Sequence, residues 1–352
     1  MAVQRMYYGP SIHRQRGLSL IELMVALAIG LFLIGAVSII YVNTATTSRS
    51  SVMETQMNED ASLALELLQQ QVRLAGFSNV NASGARLFPG GAVIGCDGNP
   101  AATPGSTSAF VNTASTFALL GCKTGGALKR QDSFAVRYEA TLLNSQSVTN
   151  AGVQLPANCA NEGIAAWNAL AEGAATATPI TLADNRYYID LDADGTPSLF
   201  CQGRTGAAFG NATALIPNIE DMQVQYAVTS LPTAGNPLPH QVAGYAEAQD
   251  AVLGTATPAN WSRVAALRVC LLARSARPVP TGDNTTGTAN GDGTTLVAGL
   301  GTYFDCNGVS RTATDRYVRR AYVTTIQLRN MRPGLPAEYQ AGNDPYAYLY
   351  EN

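Results

Sequence analysis

Apolar residues run almost without a break from Leu18 to Tyr41, and this stretch sets the plan of the chain. Its only charge is Glu22, and its other polar atoms come from Ser19, Ser38 and Tyr41. At roughly 1.5 Å per residue, such a run predicts a helix able to cross a hydrocarbon core about 30 Å thick. Arg5, Arg14 and Arg16 come before it, so the short N-terminus is expected to stay cytoplasmic and the rest to be exported. A carboxylate placed this early in a spanning helix is costly, which marks Glu22 as a functional residue.

After Tyr41 the pattern becomes amphipathic. Met53, Met57, Ala61, Ala64, Leu68, Val72 and Ala75 recur every three or four residues, with Glu54, Asn58, Glu59, Glu66, Gln70 and Arg73 mostly between them. Gly76 suits the position that closes a helix. The pattern fits one helix from Leu18 to Ala75, or two that part between Asn43 and Ser51. Either way, the second half has one dry face that must pack on a globular body.

From Phe77 to about Thr181, Gly, Pro, Asn and Ser break up the chain, and only residues 132–139 alternate as a strand does. Residues 162–170 read as a short helix. Residues 185–201 read as a hairpin turning at Ala193-Asp-Gly195. A turn near Pro217 leads to a strand from Met222, and a Pro- and Gly-rich loop follows to about Asn260. Val264 to Arg274 is nearly continuous in apolar character, as a central strand would be. Thr281 to Thr295 is a low-complexity loop, and β-branched residues mark a last strand from Arg319 to Arg329. The expected fold class is α+β, a long helix followed by an antiparallel β domain.

Composition narrows the chemistry. Only 13% of residues are charged; removing the first 17 takes three of the 22 basic residues, leaving 19 against 25 acidic. That balance gives no support for general nucleic-acid binding. There are two histidines, His13 and His240, and two lysines, Lys123 and Lys129. So few leave no multi-histidine zinc site and little material for a catalytic centre. The Gly-rich stretch from Gly121 to Lys129 lacks the Gly-Lys-Ser/Thr ending of a phosphate loop. No enzyme activity and no cofactor are expected.

Six cysteines, Cys96, Cys122, Cys159, Cys201, Cys270 and Cys306, are widely spaced with no C-x-x-C pair. In an exported domain they read as a disulfide framework. Nearest-neighbour pairing, Cys96–Cys122, Cys159–Cys201 and Cys270–Cys306, would close loops rich in Gly, Asn and Thr. Buried free thiols are the alternative. Asp190, Asp192 and Asp194, with Gly195, match the start of a calcium loop, but Cys201 stands where the bidentate Glu belongs and both flanks read as strands. We therefore read an acidic hairpin tip and no metal. Arg274, Arg277, Arg311, Arg316, Arg319 and Arg320 form a basic set, read as mostly paired or solvated rather than as a DNA patch.

The N-terminus resembles a type IV prepilin: a basic leader ending at Gly17, a cleavable Gly17–Leu18 bond, and Glu22 at the fifth mature position of an apolar helix. The usual first mature residue is Phe, so Leu18 departs mildly from the pattern. Four further pieces, 73–77, 219–226, 267–275 and 317–330, resemble PilW-type minor pilins. The resemblance implies a leader over residues 1–17, an N-terminal helix over 18–76 that spans the inner membrane at about 18–41, and a periplasmic β domain over 77–352. It implies cleavage by the prepilin peptidase, N-methylation of Leu18, and pairing of Glu22 with the amine of a neighbouring subunit. The implied role is a non-enzymatic minor pilin that primes pilus assembly and sits at the tip. Its implied partners are other minor pilins, the major pilin, the inner-membrane assembly machinery and a large tip adhesin. The alternatives are a minor pseudopilin of a type II secretion system, or a tip module that binds calcium or DNA.

Overall fold

The computed structural model describes residues 19–79, 92–98, 131–169, 178–231, 241–253, 258–278 and 301–331. Helix α1 (Leu20–Arg73) is one unbroken α-helix, so the second option for Asn43 to Ser51 does not hold. The chain divides between Val52 and Met53 into two compact units.

In the first unit, every large apolar side chain from Leu20 to Val42 is at least 52% exposed. Nothing in its sequence gives this half of the helix a dry face and a wet one, because it is apolar all round.

The second unit holds the rest of α1 and all of the strands among the described residues. In chain order they are β1 (Val93–Cys96), β2 (Ser133–Glu139), β3 (Ser147–Asn150), β4 (Val153–Pro156), β5 (Trp167–Ala169), β6 (Thr178–Ile180), β7 (Leu182–Leu191), β8 (Pro197–Arg204) and β9 (Phe209–Pro217). Then come β10 (Ile219–Thr229), β11 (Val242–Ala246), the short α2 (Pro258–Trp261), β12 (Val264–Arg274), β13 (Thr302–Phe304), β14 (Ser310–Thr312) and β15 (Arg319–Gln327). Among the described residues all of the pairings are antiparallel. One sheet has the order β1-β2-β7-β8-β9 and another β11-β10-β12-β15, with three small two-stranded ribbons beside them.

The apolar stripe of α1 seats on these sheets. Met57, Ala61, Ala64, Leu68, Val72 and Ala75 are all buried, in one core with Val224, Tyr226, Val269 and Leu271. Burying each of the larger side chains stabilises by about 1.5–3 kcal/mol. Alanines between them let the helix backbone approach the strands. Polar contacts then fix its register: the Tyr138 hydroxyl and the Asn185 amide both donate to Gln71 Oε1, at 2.9 and 3.0 Å. Gln69 donates to Thr324 at 2.8 Å, and the Tyr322 hydroxyl donates to Asn58. The helix ends in a turn at Gly76, whose φ of 79° suits glycine and whose amide donates to Arg137 O at 2.9 Å. A Cβ there would stand 2.5 Å from the Asn330 carbonyl oxygen.

β12 is central, paired with β10 on one side and β15 on the other, which accounts for its apolar character. On its outer face Cys270 and Leu272 are buried as well, where the hairpin β13–β14 is tied down by the Cys270–Cys306 disulfide.

Three expectations need correction. The stretch read as loop from the end of β10 to about Asn260 carries strand β11, which pairs with β10 at the sheet edge. Residues 162–170 are not helical in their described part: Trp167–Ala169 is strand β5, and the chain before it is held irregular by its partners. Ile164 N donates to Pro156 O at 2.8 Å and Ala165 N to Thr205 O at 3.0 Å, so tertiary pairing overrides a weak helical pattern. The turn at Pro217 is also tighter than expected. β9 runs directly into β10 through Asn218 alone, a buried residue at φ 64° that carries the chain from one sheet to the other. Its carbonyl accepts Arg274 N at 2.9 Å. Asn tolerates this left-handed conformation better than most residues.

Candidate functional site

The helix begins at Leu20 because Ser19 caps it. Ser19 Oγ accepts the Glu22 amide and Ser19 O accepts the Leu23 amide, both at 3.2 Å. Ser19 and Glu22 stand three apart, the spacing of a capping box, so Glu22 lies in the first turn. A carboxylate there faces the positive end of the helix dipole. The Ser-x-x-Glu signature was present in the sequence, and our reading of Glu22 passed over it. Around this one charge the helix surface is wholly apolar: Leu20 is 77% exposed and Ile21 71%. Chemically, this end of the chain offers a single anion on a surface that water does not favour. It suits burial in lipid or among other apolar helices, with a cation brought to Glu22. Gly17 and Leu18 lie outside the described residues.

The acidic hairpin tip joins β7 to β8. Asp192 Oδ1 accepts the amides of Asp194 and Thr196, at 3.0 and 2.8 Å, and Asp192 Oδ2 accepts the Ser198 hydroxyl at 3.3 Å. Gly195 takes φ 76°. Asp190 accepts the Leu191 amide, and Asp194 is exposed. The same device recurs in β13–β14, where Asp305 Oδ1 accepts the amides of Asn307 and Val309, at 3.0 and 2.9 Å. Asp-Ala-Asp-Gly and Asp-Cys-Asn-Gly are thus two copies of one turn chemistry, in which the first carboxylate serves the loop backbone. Among the described residues no group of three His, Cys, Asp or Glu side chains is arranged to hold a metal.

Cys159 is bonded to Cys201 and Cys270 to Cys306, with Cα atoms 6.1 and 5.7 Å apart. Cys96 is also in a disulfide, and Cys122 lies outside the described residues.

Half of the basic set is committed to the protein's own carboxylates. Arg319 grips Glu220 at 2.5 and 2.9 Å and Asp315 at 2.6 and 2.8 Å. Its guanidinium is raised above its ordinary value: burial opposes the charge, and the bonds from Asp315 and Glu220 overcome that. The bond from Arg319 in turn holds Asp315 below its ordinary value. Arg274 lies over the Tyr317 ring and 3.5 Å from Glu220, and Arg311 is 2.8 Å from Asp305. Arg320 reaches Asn58, while Arg277 and Arg316 are exposed.

A second ionic group was not foreseen. Asp184 on β7 is fully buried beside Arg137 at 3.1 Å and Arg186 at 3.5 Å, with Arg204 at 3.9 Å. Arg186 also lies 3.7 Å from the centre of the Phe209 ring. Strands that alternate at their ends hid it, since β7 is buried on both faces from Leu182 to Ile189.

Comparison with known proteins places these features. Residues 12–38 match the family model of the prokaryotic N-terminal methylation motif, and residues 186–330 match that of the type IV pilus-assembly protein W. The second match spans from β7 to just beyond β15, and so takes in strands of both sheets. No curated protein matches the chain. Among solved structures, a type IV-like pilin from Thermus thermophilus is similar over 78% of this chain and 96% of its own, at 13% identity and a TM-score of 0.31. The chain thus carries a prokaryotic N-terminal methylation motif on its apolar helix and a type IV pilus-assembly W domain across its sheets.

Proposed function

We propose that this protein is a structural, non-enzymatic subunit that primes assembly of a type IV pilus and stays at its tip. The single observation behind this reading is Glu22, one carboxylate on an otherwise apolar helix surface. In our account the leader is removed after Gly17 by the prepilin peptidase, and Leu18 becomes the methylated N-terminus. Before assembly the apolar half of α1 is held in the inner membrane, with the β domain in the periplasm. Cleavage leaves a cation at Leu18, and in a bundle of pilins that cation meets a neighbour's Glu22. Each charge offsets part of the other's desolvation cost, so an in-register partner is favoured over plain lipid. The partners are other minor pilins, the major pilin and the inner-membrane assembly machinery.

The role is tested by removing the gene and counting surface pili. Loss of most pili, restored by the wild-type chain, is expected. Normal piliation would contradict a priming role. Replacing Gly17 with a bulky residue should leave the leader attached, visible by mass spectrometry of the membrane-bound chain. Cleavage at the usual bond in that variant would contradict the processing step.

A further inference from the structure

The four-stranded sheet ends on one side at β15, and that end is open. Leu328 N donates to Ala265 O at 2.9 Å and Ser275 N to Val318 O at 2.8 Å. These two bonds set the ladder, in which the even-numbered residues of β15 bond β12. The odd-numbered ones, Ala321, Val323, Thr325 and Gln327, therefore turn their N–H and carbonyl groups away from β12. No described residue takes those groups up, and no described strand lies beyond β15. Backbone donors and acceptors are obligatory bonding groups, so such a row is a template for another strand.

The other edges are closed by recognisable means. β1 is four residues long and buried throughout. β11 has five residues, and its register against β10 breaks between Val228 and Thr229. β9 shifts register twice against β8, and the Glu162 carboxylate already accepts its Asn211 amide at 3.2 Å. β15, by contrast, has nine residues in unbroken register with β12, no proline or lysine, and the β-branched run Val323-Thr-Thr-Ile326. Val323 is 50% exposed, and the β13–β14 hairpin adds exposed Phe304 and Val309. That hairpin lies beside β15, with the Arg319 guanidinium over its Tyr303 ring. One face of β15 is taken by α1, where Tyr322 and Thr324 meet Asn58 and Gln69. The edge itself is not.

Charge says what kind of strand fits. From Arg316 to Arg329 the chain carries Arg316, Arg319, Arg320 and Arg329 and no acid. Arg319 is neutralised by Glu220 and Asp315. Arg316, Arg320 and Arg329 are exposed, and so is Arg268, opposite Thr325 on β12; no described carboxylate is paired with any of them.

We propose that the outer edge of β15 takes up an extended, acid-bearing segment of another protein chain as one more strand of this sheet. The added strand exchanges backbone hydrogen bonds with Ala321, Val323, Thr325 and Gln327 and sets carboxylates beside the free arginines. A second copy of this chain fits less well, since it would bring a like-charged edge to this one. The site lies wholly in the β domain and does not use Glu22, so it stands apart from the helix docking proposed above.

The test places a photoreactive benzoylphenylalanine at Gln327 of the full chain in cells, then illuminates them and maps the joined peptide by mass spectrometry. The expected adduct is with another protein, on a segment that alternates apolar and polar residues and carries Asp or Glu. Thr325→Pro should reduce that adduct roughly tenfold or more without unfolding the chain, because the lost N–H does not serve β12. Arg320→Glu with Arg329→Glu should also reduce it roughly tenfold or more, whereas Arg320→Lys with Arg329→Lys should keep it. These exposed changes leave the backbone alone, so they decide the matter if the proline variant does not fold. Adducts to a second copy, to this chain itself or to a segment without acids would overturn the proposal. So would no adduct at all, or one that the folded Pro or Glu variants leave intact.

Discussion

Two places along α1 show how much a single polar atom can decide. Gln71 is half-buried, and its one oxygen accepts two donors from the five-stranded sheet, Tyr138 on β2 and Asn185 on β7. Replacing it with Leu would keep the bulk but leave a phenol and an amide without their acceptor. The expected cost is about 1–3 kcal/mol, read as a lower midpoint in chemical denaturation. Gln71→Glu keeps an acceptor and should cost less; an equal loss in both variants would show that packing, not hydrogen bonding, sets the register. Ser19 and Glu22 are the second case. The cap orders the first turn, so the carboxylate is presented from a formed helix and not from a frayed end.

At the scale of elements, the dry face of α1 was legible in full detail. The positions from Met57 to Ala75 picked out by spacing are those the sheets cover, because a helix with one apolar stripe has only one way to bury it. Leu68→Ala should therefore cost about 2–5 kcal/mol in thermal or denaturant unfolding. Leu63, which is 54% exposed on the same helix, should cost no more than about 0.5 kcal/mol when cut to Ala. Equal costs would mean that the helix packs through a different face. Strands were less legible where their pairing is distant. β1 is short and lies in Gly- and Ala-rich sequence, and only a partner far along the chain, β2, makes it a strand; β5, paired with the nearby β6, has three residues, too few to show alternation. The β13–β14 hairpin did carry a local signal, Asp305-Cys-Asn-Gly308, of the same kind that revealed the β7–β8 tip. It lies beyond the low-complexity loop of Thr281 to Thr295, in a stretch for which no element was expected. Its disulfide to Cys270 spans 36 residues, and replacing both cysteines with Ala should cost about 2–5 kcal/mol, seen as a lower melting temperature. Reduction should lower the wild-type value in the same way and leave the double variant alone except through the other bridges.

Across the whole molecule, the chain combines a helix half that is apolar on every side with a domain in which several buried charges are paired internally. Glu220 with Arg319, and Asp184 with Arg137 and Arg204, join groups distant in sequence, so no local pattern announced these pairs. What the sequence did announce was the apolar run and its single acid, since neither depends on tertiary contacts. The central claim is that Glu22 acts in docking with other pilins and has no part in folding. Glu22→Gln tests it most directly, because it removes the charge and keeps the shape. The measurement is co-purification of the variant with partner minor pilins from cells, alongside its denaturation midpoint. The account predicts an unchanged midpoint and recovery of partners reduced at least tenfold. A stable, processed variant that captures its partners as the wild type does would contradict it.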